Sequence, residues 1–327
     1  MQPIEWPVFL GAPLAKWRRV YGSLTLPEVL RKIRHRISGR MFLWYRDVLA
    51  LVFKGRNLTT GNAAIQVSVG GVGFQIEPKG AIAFHTWSGL RFERSELEFI
   101  LRMLRPGMIF FDVGANIGLF SLAVGEKIKP RGHASILYAF EPCPSTFAIL
   151  ETNLLQNELT KVRAIRAALS DQTGEASLFV NAPLKDALNS LEAPSHTDAE
   201  VVGREMVQTI TLDDFVAREH IARVDLMKVD VEGAELLVFR GGRKLLERPD
   251  APLLLYEGYS WCTAGFHYHP VELMWQLEGF GYELFVLDAE SACVRRRTPG
   301  ESYDAMVVAA KKSHPCYREL FPDGERA

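Results

Sequence analysis

The sequence predicts an α/β protein doubly wound around a mainly parallel sheet, and three observations carry that prediction. Strand-like runs at 108–113, 135–141, 162–168, 224–230 and 252–257 alternate with helical stretches at 117–128, 145–156 and 234–247. Alternation of this kind belongs to parallel strands joined by crossover helices that cover both faces of the sheet. The first of these strands passes into a helix through a glycine turn, Val113-Gly114-Ala115-Asn116-Ile117-Gly118, in which the glycines allow unusual backbone angles and close ligand approach. Carboxylates then stand at the strand ends, Glu141 on the second run and Asp230 on the fourth. The carboxyl edge of an open α/β sheet is where its ligands bind.

Length and composition set the frame. A chain of 327 residues can bury a large core and suits one main domain with an added segment. Charged residues make up 24%, apolar residues 48%, and the formal net charge is -1, so nothing in the overall balance attracts the chain to nucleic acid. Cys143, Cys262, Cys293 and Cys316 are scattered without paired metal-site spacing, and the N-terminus lacks the basic-then-apolar order of a secretory signal. A reduced, cytoplasmic setting is the expectation. No apolar run approaches membrane-spanning length.

Along the chain, residues 1–94 read as an N-terminal extension, 95–312 as the main domain and 313–327 as a C-terminal tail. The extension opens with Arg31, Lys32, Arg34, His35, Arg36 and Arg40 interleaved with Leu26, Val29, Leu30, Ile33 and Ile37 at helical spacing, which predicts a basic amphipathic helix. Such a helix either packs its apolar face on the main domain or docks peripherally on an anionic membrane or a partner. Residues 65–69 and 72–76 alternate around Gly70-Gly71 and predict a β-hairpin. Ser95-Glu96-Leu97-Glu98 offers a capping box for a helix running to Leu104, and Arg105-Pro106-Gly107 ends it. The polar stretch 181–205 reads as a loop inserted ahead of the later strands, serving as a lid or as a tolerated insertion. The last two strand-like runs, 282–287 and 305–310, are joined by a turn-rich segment and should pair antiparallel.

A glycine turn after a strand, with an acidic residue ending the next strand, suits a nucleotide-like cofactor whose ribose the carboxylate would bind. In a dinucleotide fingerprint the middle position is glycine, so that a pyrophosphate can rest on the helix N-terminus. Here that position is Asn116, whose side chain would crowd a phosphate, while Asp112 and Asn116 could engage an amino-acid portion. The residues therefore favour S-adenosylmethionine and leave NAD as the alternative.

Five motifs in order extend this reading: 111–118, Ala139-Phe140-Glu141-Pro142, Ala168-Leu169-Ser170-Asp171, Leu212-Asp213-Asp214, and Lys228-Val229-Asp230-Val231-Glu232-Gly233-Ala234-Glu235. In this order, over roughly residues 95–258, the chain resembles the FkbM family of S-adenosylmethionine-dependent methyltransferases. The resemblance implies a class I, Rossmann-like, seven-stranded sheet with the last strand inserted antiparallel. It implies that Glu141 accepts hydrogen bonds from the cofactor ribose, that Asp112, Gly114, Asn116 and Gly118 form the methionine-side turn, and that Ala168, Leu169 and Asp171 lie near the adenine. Read without it, the glycines suit an ordinary turn, Glu141 a strand terminus, and Ala168 and Leu169 the core.

Period-two geometry puts Lys228, Asp230 and Glu232 on one side of an extended strand end, where two carboxylates raise each other's pKa and the lysine offsets the repulsion. That set could orient a hydroxyl nucleophile or accept its proton. It also suits a structural Lys–Asp pair beside a helix start. Asp230 and Glu257, at adjacent strand ends, could hold a divalent cation, although separated carboxylates do not favour one. His267 and His269, in the aromatic segment 259–269, offer a general base near neutrality, and the aromatic residues there a substrate wall. The resulting expectation is methyl transfer to a hydroxyl of a small or medium-sized metabolite, with sugar or polysaccharide precursors and polyketide-like acceptors implied by the resemblance. Nucleic-acid methylation through the basic N-terminal segment, for which there is no strong signal, and a non-catalytic cofactor-binding scaffold are the competing readings.

Overall fold

The run 109–113 and its neighbours form a sheet because successive side chains feed two separate cores. A computed structural model describes Phe53 and residues 63–69, 71–88, 93–130, 134–182, 184–193, 199–296 and 304–321. The basic amphipathic helix expected before residue 50 lies outside the described residues. The strands, in chain order, are β1 (Ile65–Val69), β2 (Val72–Ile76), β3 (Ile109–Val113), β4 (Ile136–Phe140), β5 (Val162–Ile165), β6 (Ala168–Ser170), β7 (Gly174–Asn181), β8 (Val201–Thr211), β9 (Leu226–Val229), β10 (Leu253–Gly258), β11 (Glu283–Leu287), β12 (Val294–Arg295) and β13 (Ala305–Ala310). Phe110, Leu226, Leu253 and Leu255 enter one core, while Phe111, Met227, Leu254 and Tyr256 enter the other. This period-two division is what a strand buried on both faces requires.

The main sheet runs β12-β11-β13-β10-β9-β3-β4-β5. From β10 through β9, β3 and β4 to β5 every pair is parallel, and β13 lies antiparallel to both β10 and β11. Seven principal strands with the last one antiparallel are thus present, and the two-residue β12 adds a short edge. The β11–β13 connection carries no crossover helix among the described residues, and the pair is accordingly antiparallel. Helix Leu119–Ile128 follows β3, helix Pro144–Gln156 follows β4, and Glu235–Gly241 follows β9. The expected helix over 234–247 is broken at Gly241-Gly242 into Glu235–Gly241 and Arg243–Glu247. A Cβ on Gly241 would stand 2.0 Å from the Ser170 carbonyl oxygen, so only glycine admits this approach to β6.

Three local expectations are corrected. The helix over 95–104 starts one residue earlier, as Arg94–Met103, and its N-cap is Glu93 in the left-handed region at φ 49°. Ser95 therefore sits inside the first turn, donating to Glu96 Oε2 at 2.8 Å, and no capping box forms. The single strand expected over 162–168 is divided, because Ala167 N turns back to the Ile165 carbonyl and sends β6 into a second sheet. That sheet, ordered β6-β8-β7, includes residues 201–205, which the sequence places in a loop; only the middle of 181–205 is a connection. Exposure hides β8, since only Val207, Thr209 and Ile210 are buried along it.

The hairpin β1–β2 forms at the expected residues and packs on the main domain. Asn157, at the end of helix Pro144–Gln156, accepts from Gln75 N at 2.8 Å and donates to Gln75 O at 2.7 Å, while Asn153 Oδ1 accepts from Glu77 N. Replacing Asn157 with alanine should lower stability by about 1–3 kcal/mol, because two backbone groups of Gln75 lose their side-chain partner. Urea denaturation checks the sum, and faster amide exchange at Gln75 locates it. At the other end of the chain, Cys316, Tyr317 and Leu320 are buried in the same core as the hairpin. All four cysteines are free thiols, and among the described residues no helix is long and apolar enough to cross a membrane.

Candidate functional site

The glycine turn brings β3, β4 and β9 together at their carboxyl ends. Gly114 has φ 78°, and a Cβ there would stand 1.8 Å from the Asp230 carbonyl oxygen. Both the angle and the space demand glycine. The backbone donors of the turn are all engaged inside the protein. Gly114 N and Ala115 N donate to Phe140 O, Asn116 N to Glu141 Oε2 at 3.0 Å, Ile117 N to Asn116 Oδ1, and Gly118 N to Ala115 O. A pyrophosphate needs such donors free and a neighbour that is not a carboxylate, so this turn does not fit a dinucleotide cradle.

Above the turn opens a cavity of about 650 Å³, within the range of small-molecule sites. Among the described residues eight carboxylates line it, from Glu93, Glu96, Glu141, Asp186, Glu200, Asp230, Glu232 and Glu257, against two lysines, Lys185 and Lys228. This imbalance suits a ligand that carries positive charge and hydroxyl donors. In one half, Gly114, Ala115, Asn116, Glu141, Ala168, Leu169 and Leu178 line the wall. Glu141 also accepts from Cys143 N at 2.8 Å, and burial pushes its carboxyl up to about 7, opposed by the Cys143 and Asn116 N–H groups. Of the residues expected at the cofactor, Asp112, Gly118 and Asp171 do not reach the cavity surface. Asp112 is fully buried beneath the turn, accepting from Ser121 Oγ at 2.6 Å; burial raises its pKa, while Lys228 and Ser121 oppose the rise. Gly118 has φ 99°, and its bare Cα faces the Leu150 side chain.

The other half is built around Lys228, the one polar side chain of β9, 3% exposed. Its Nζ donates to Gly114 O at 3.0 Å, meets Asp230 Oδ2 at 3.2 Å and Asp112 Oδ1 at 4.0 Å, and lies 5.0 Å from the Phe120 ring centroid. Burial alone would lower its pKa, but Asp230, Asp112 and Glu93 outweigh burial and hold the ammonium above its ordinary value. Lys228 thus ties the turn to the acidic strand end. Beyond Asp230 the chain turns through Glu232 at φ 54° and Gly233 at φ 101° into helix Glu235–Gly241. Glu235 fastens that turn by accepting from Val231 N and Gly233 N. Burial, then Asp230 and neighbouring acids, pushes both Glu232 and Glu257 well above the usual carboxylate range.

Glu232, Glu257 and Cys262 bring one ligand atom each within 4.8 Å of one another. The Cys262 thiol donates to Glu257 Oε2 at 3.1 Å and reaches Glu232 Oε2 at 3.7 Å, and these contacts account for the proximity. Tyr259 and Trp261 stack, with centroids 5.9 Å apart and planes at 19°, and both line the cavity as the expected aromatic wall. The structure does not bring His267 and His269 to it. Both are exposed: His267 ends a short 3-10 turn at φ 58°, and His269 Nδ1 accepts from Val271 N as the N-cap of helix Pro270–Gly279.

The remaining wall comes from segments in which the sequence shows no motif. Helix Gly80–Ser88 contributes Ala81, Phe84 and His85, and the 3-10 turn Asp186–Leu188 contributes Asp186. Asp186 Oδ1 accepts from Ala81 N at 2.7 Å, so it joins the two segments. The polarity of 181–205 was the available signal; neither Glu93 nor Glu96 had one.

Comparison with known proteins accords with this geometry. The profile described as "Methyltransferase FkbM domain" matches residues 112–284. The chain is 32% identical over 163 residues to "31-O-demethyl-FK506 methyltransferase FkbM" of Streptomyces tacrolimicus, covering 42% of this chain and 60% of that one. It is 37% identical over 155 residues to "Methyltransferase sdnD" of Sordaria araneosa, covering 40% and 58%. It is 30% identical over 158 residues to "Hexuronic acid methyltransferase AglP" of Haloferax volcanii, covering 48% and 59%. The matched part of this chain spans under two thirds of each of these relatives.

Proposed function

Because the chain belongs to the FkbM methyltransferase family, we propose that it is an S-adenosylmethionine-dependent O-methyltransferase acting on a hydroxyl of a small or medium-sized metabolite. The observation that carries this reading is the continuous acidic cavity from Glu141, just past β4, to Asp230, just past β9. The residues fit the cofactor: Glu141 offers a carboxylate to ribose hydroxyls, Ala168, Leu169 and Leu178 an apolar wall to an adenine, and the surrounding carboxylates a favourable field for ammonium and sulfonium. Sugar-like or polyketide-like acceptors are supported by two relatives, one described as acting on 31-O-demethyl-FK506 and the other on hexuronic acid.

When bound, S-adenosylmethionine supplies a methyl group activated by the adjoining sulfonium. The protein's share is alignment, exclusion of water and handling of one proton. Tyr259 and Trp261 present stacked faces to the acceptor and shield the reacting centre. Lys228 fixes Asp230 through Oδ2, and Asp230 takes the proton of the acceptor hydroxyl. Glu232 lines the cavity beside it, its carboxyl held toward the neutral form by burial and by Asp230. His267 and His269 have no part in this scheme.

The test is incubation with labelled S-adenosylmethionine and fractionated cell extract, followed by mass spectrometry of the labelled product. A methyl ether on a hydroxylated metabolite is expected. Label confined to RNA or DNA, or no transfer despite cofactor binding, would exclude the reading. With the acceptor in hand, Asp230→Asn should depress turnover while S-adenosylhomocysteine binds nearly as before.

A further inference from the structure

Asp112 does not meet the amino-acid end of a cofactor, since it is fully buried beneath the glycine turn, bound to Ser121 Oγ and facing Lys228. Another carboxylate stands where Asp112 was expected to act. Asp186 opens the 3-10 turn Asp186–Leu188 and lines the cavity, and its backbone oxygen accepts from Asn116 Nδ2 at 3.4 Å. The Asn116 N–H is joined in turn to Glu141 Oε2 at 3.0 Å. Asn116, on the methionine side of the turn, is thus bonded to two acidic residues, one at the end of β4 and one on the segment 184–191 that runs along the cavity. That segment is fixed at its far end as well, where Ser190 Oγ donates to Glu232 O at 2.8 Å.

The Asp186 side chain is held in place without being used up. Its Oδ1 accepts from Ala81 N at 2.7 Å, which ties it to the first turn of helix Gly80–Ser88. Its Oδ2 lies beside Gly80, where φ is 83° and a Cβ would stand 2.5 Å from that oxygen. Glycine keeps this space clear. The other acids on the page have different partners: Asp230 Oδ2 is paired with Lys228 at 3.2 Å, and Glu141 receives both Asn116 N and Cys143 N.

We propose that Asp186 binds the α-ammonium of the cofactor's amino-acid end, with Asn116 setting its place beside the glycine turn. This rests on the S-adenosylmethionine reading of the same cavity. An ammonium offers three donors, and a carboxylate accepts them in charge-assisted hydrogen bonds. The contact has to be direct. The amino-acid end is a zwitterion without net charge, so the diffuse field of the surrounding carboxylates attracts its ammonium about as much as it repels its carboxylate. Only an acid placed against the ammonium favours the pair. Asp186 is a binding residue in this assignment and takes no part in the transfer of the methyl group or the proton.

The test is titration calorimetry of the full chain with S-adenosylhomocysteine and 5′-methylthioadenosine, which share adenine, ribose and thioether but differ in the amino-acid end. Asp186→Asn keeps an oxygen for Ala81 N and removes the charge. It should weaken S-adenosylhomocysteine about tenfold to a hundredfold, as expected for a hydrogen bond between charged groups, and leave 5′-methylthioadenosine within about threefold of native. Equal weakening of both ligands would reduce Asp186 to a part of the wall or of the ribose site, and unchanged binding of both would leave it without a ligand; either overturns the proposal. Asp186→Ser also keeps an oxygen able to accept from Ala81 N, and it is read in the same way if the asparagine variant fails to fold. A third ligand, S-adenosylhomocysteine with hydrogen in place of the α-amino group, closes the cycle. It should lose no further affinity on either substitution, and a loss equal to that of the parent ligand would overturn the assignment. A native protein that binds neither S-adenosylhomocysteine nor 5′-methylthioadenosine sinks the methyl-transfer reading, whereas native binding with an unaltered preference in the variants sinks Asp186 alone.

Discussion

Glu141→Ala should weaken S-adenosylhomocysteine binding roughly a hundredfold to ten-thousandfold, since hydrogen bonds from two ribose hydroxyls to a charged group contribute about 1.5–3 kcal/mol each. Part of the loss comes from the protein itself. The same carboxylate accepts from Asn116 N and Cys143 N, so its removal also frees the donors that shape the turn. Glu141→Gln separates the two contributions. It keeps the volume and one acceptor, and should recover part of the thermal stability but little of the affinity. Equal affinity for alanine and native forms, measured by titration calorimetry, would remove Glu141 from the cofactor site.

The raised pKa of Glu141 makes this binding pH-dependent in a direction that can be worked out. Buried in the unliganded protein, the carboxyl titrates at about 7; in the unfolded chain a glutamate titrates at about 4.3. Between those values the native state binds more protons than the unfolded state, so stability from this group is present below the lower value and lost as pH rises through the higher. A ribose diol donates to the ionised form, so ligand binding must expel the proton when pH is below 7. Affinity should then fall about tenfold for each pH unit of acidification below that point, with one proton released per ligand bound. Calorimetry in two buffers of different ionisation heat reads the proton directly. Affinity independent of pH would mean that the ligand does not meet this carboxylate.

The extent to which the site was legible follows from where each residue gets its position. β3, β4, β9 and β10 read plainly because burial on both faces leaves continuous apolar runs, and the polar residues that interrupt or end them, Asp112, Glu141, Lys228 and Asp230, stood out for that reason. Gly114 was legible because a positive φ and contact with the Asp230 carbonyl exclude every other residue. Glu93 and Asp186 were not. Each is brought to the cavity by tertiary packing of a short segment, Glu93 by a left-handed residue ahead of a helix and Asp186 by its bond to Ala81 N. Neither circumstance leaves a periodic trace in the sequence. The histidines illustrate the converse, since their chemistry suggested a base while the backbone used His269 as a helix cap. β7 and β8 escaped notice because much of their surface faces solvent, which removes the apolar alternation that marks a half-buried strand.

Lys228→Met should destabilise the fold by about 3–5 kcal/mol, the usual cost of leaving one member of a buried ion pair uncompensated. The charge left behind is Asp112, which is fully buried and whose Oδ1 has no hydrogen-bond partner, with only the ammonium at 4.0 Å to balance it. The Gly114 carbonyl would lose its donor as well. Adding Asp112→Asn should restore much of the stability, because the amide oxygen can keep the Ser121 bond while the uncompensated charge disappears. A double-mutant cycle by urea denaturation measures that coupling. Recovery in the double variant, with S-adenosylhomocysteine binding regained and turnover still absent, would divide the work of Lys228 between the Asp112 pair that holds the turn and the Asp230 pair that serves the reaction. A stable Lys228→Met single variant would instead show that Asp112 is neutral in the fold, leaving Asp230 as the ion-pair partner of the lysine.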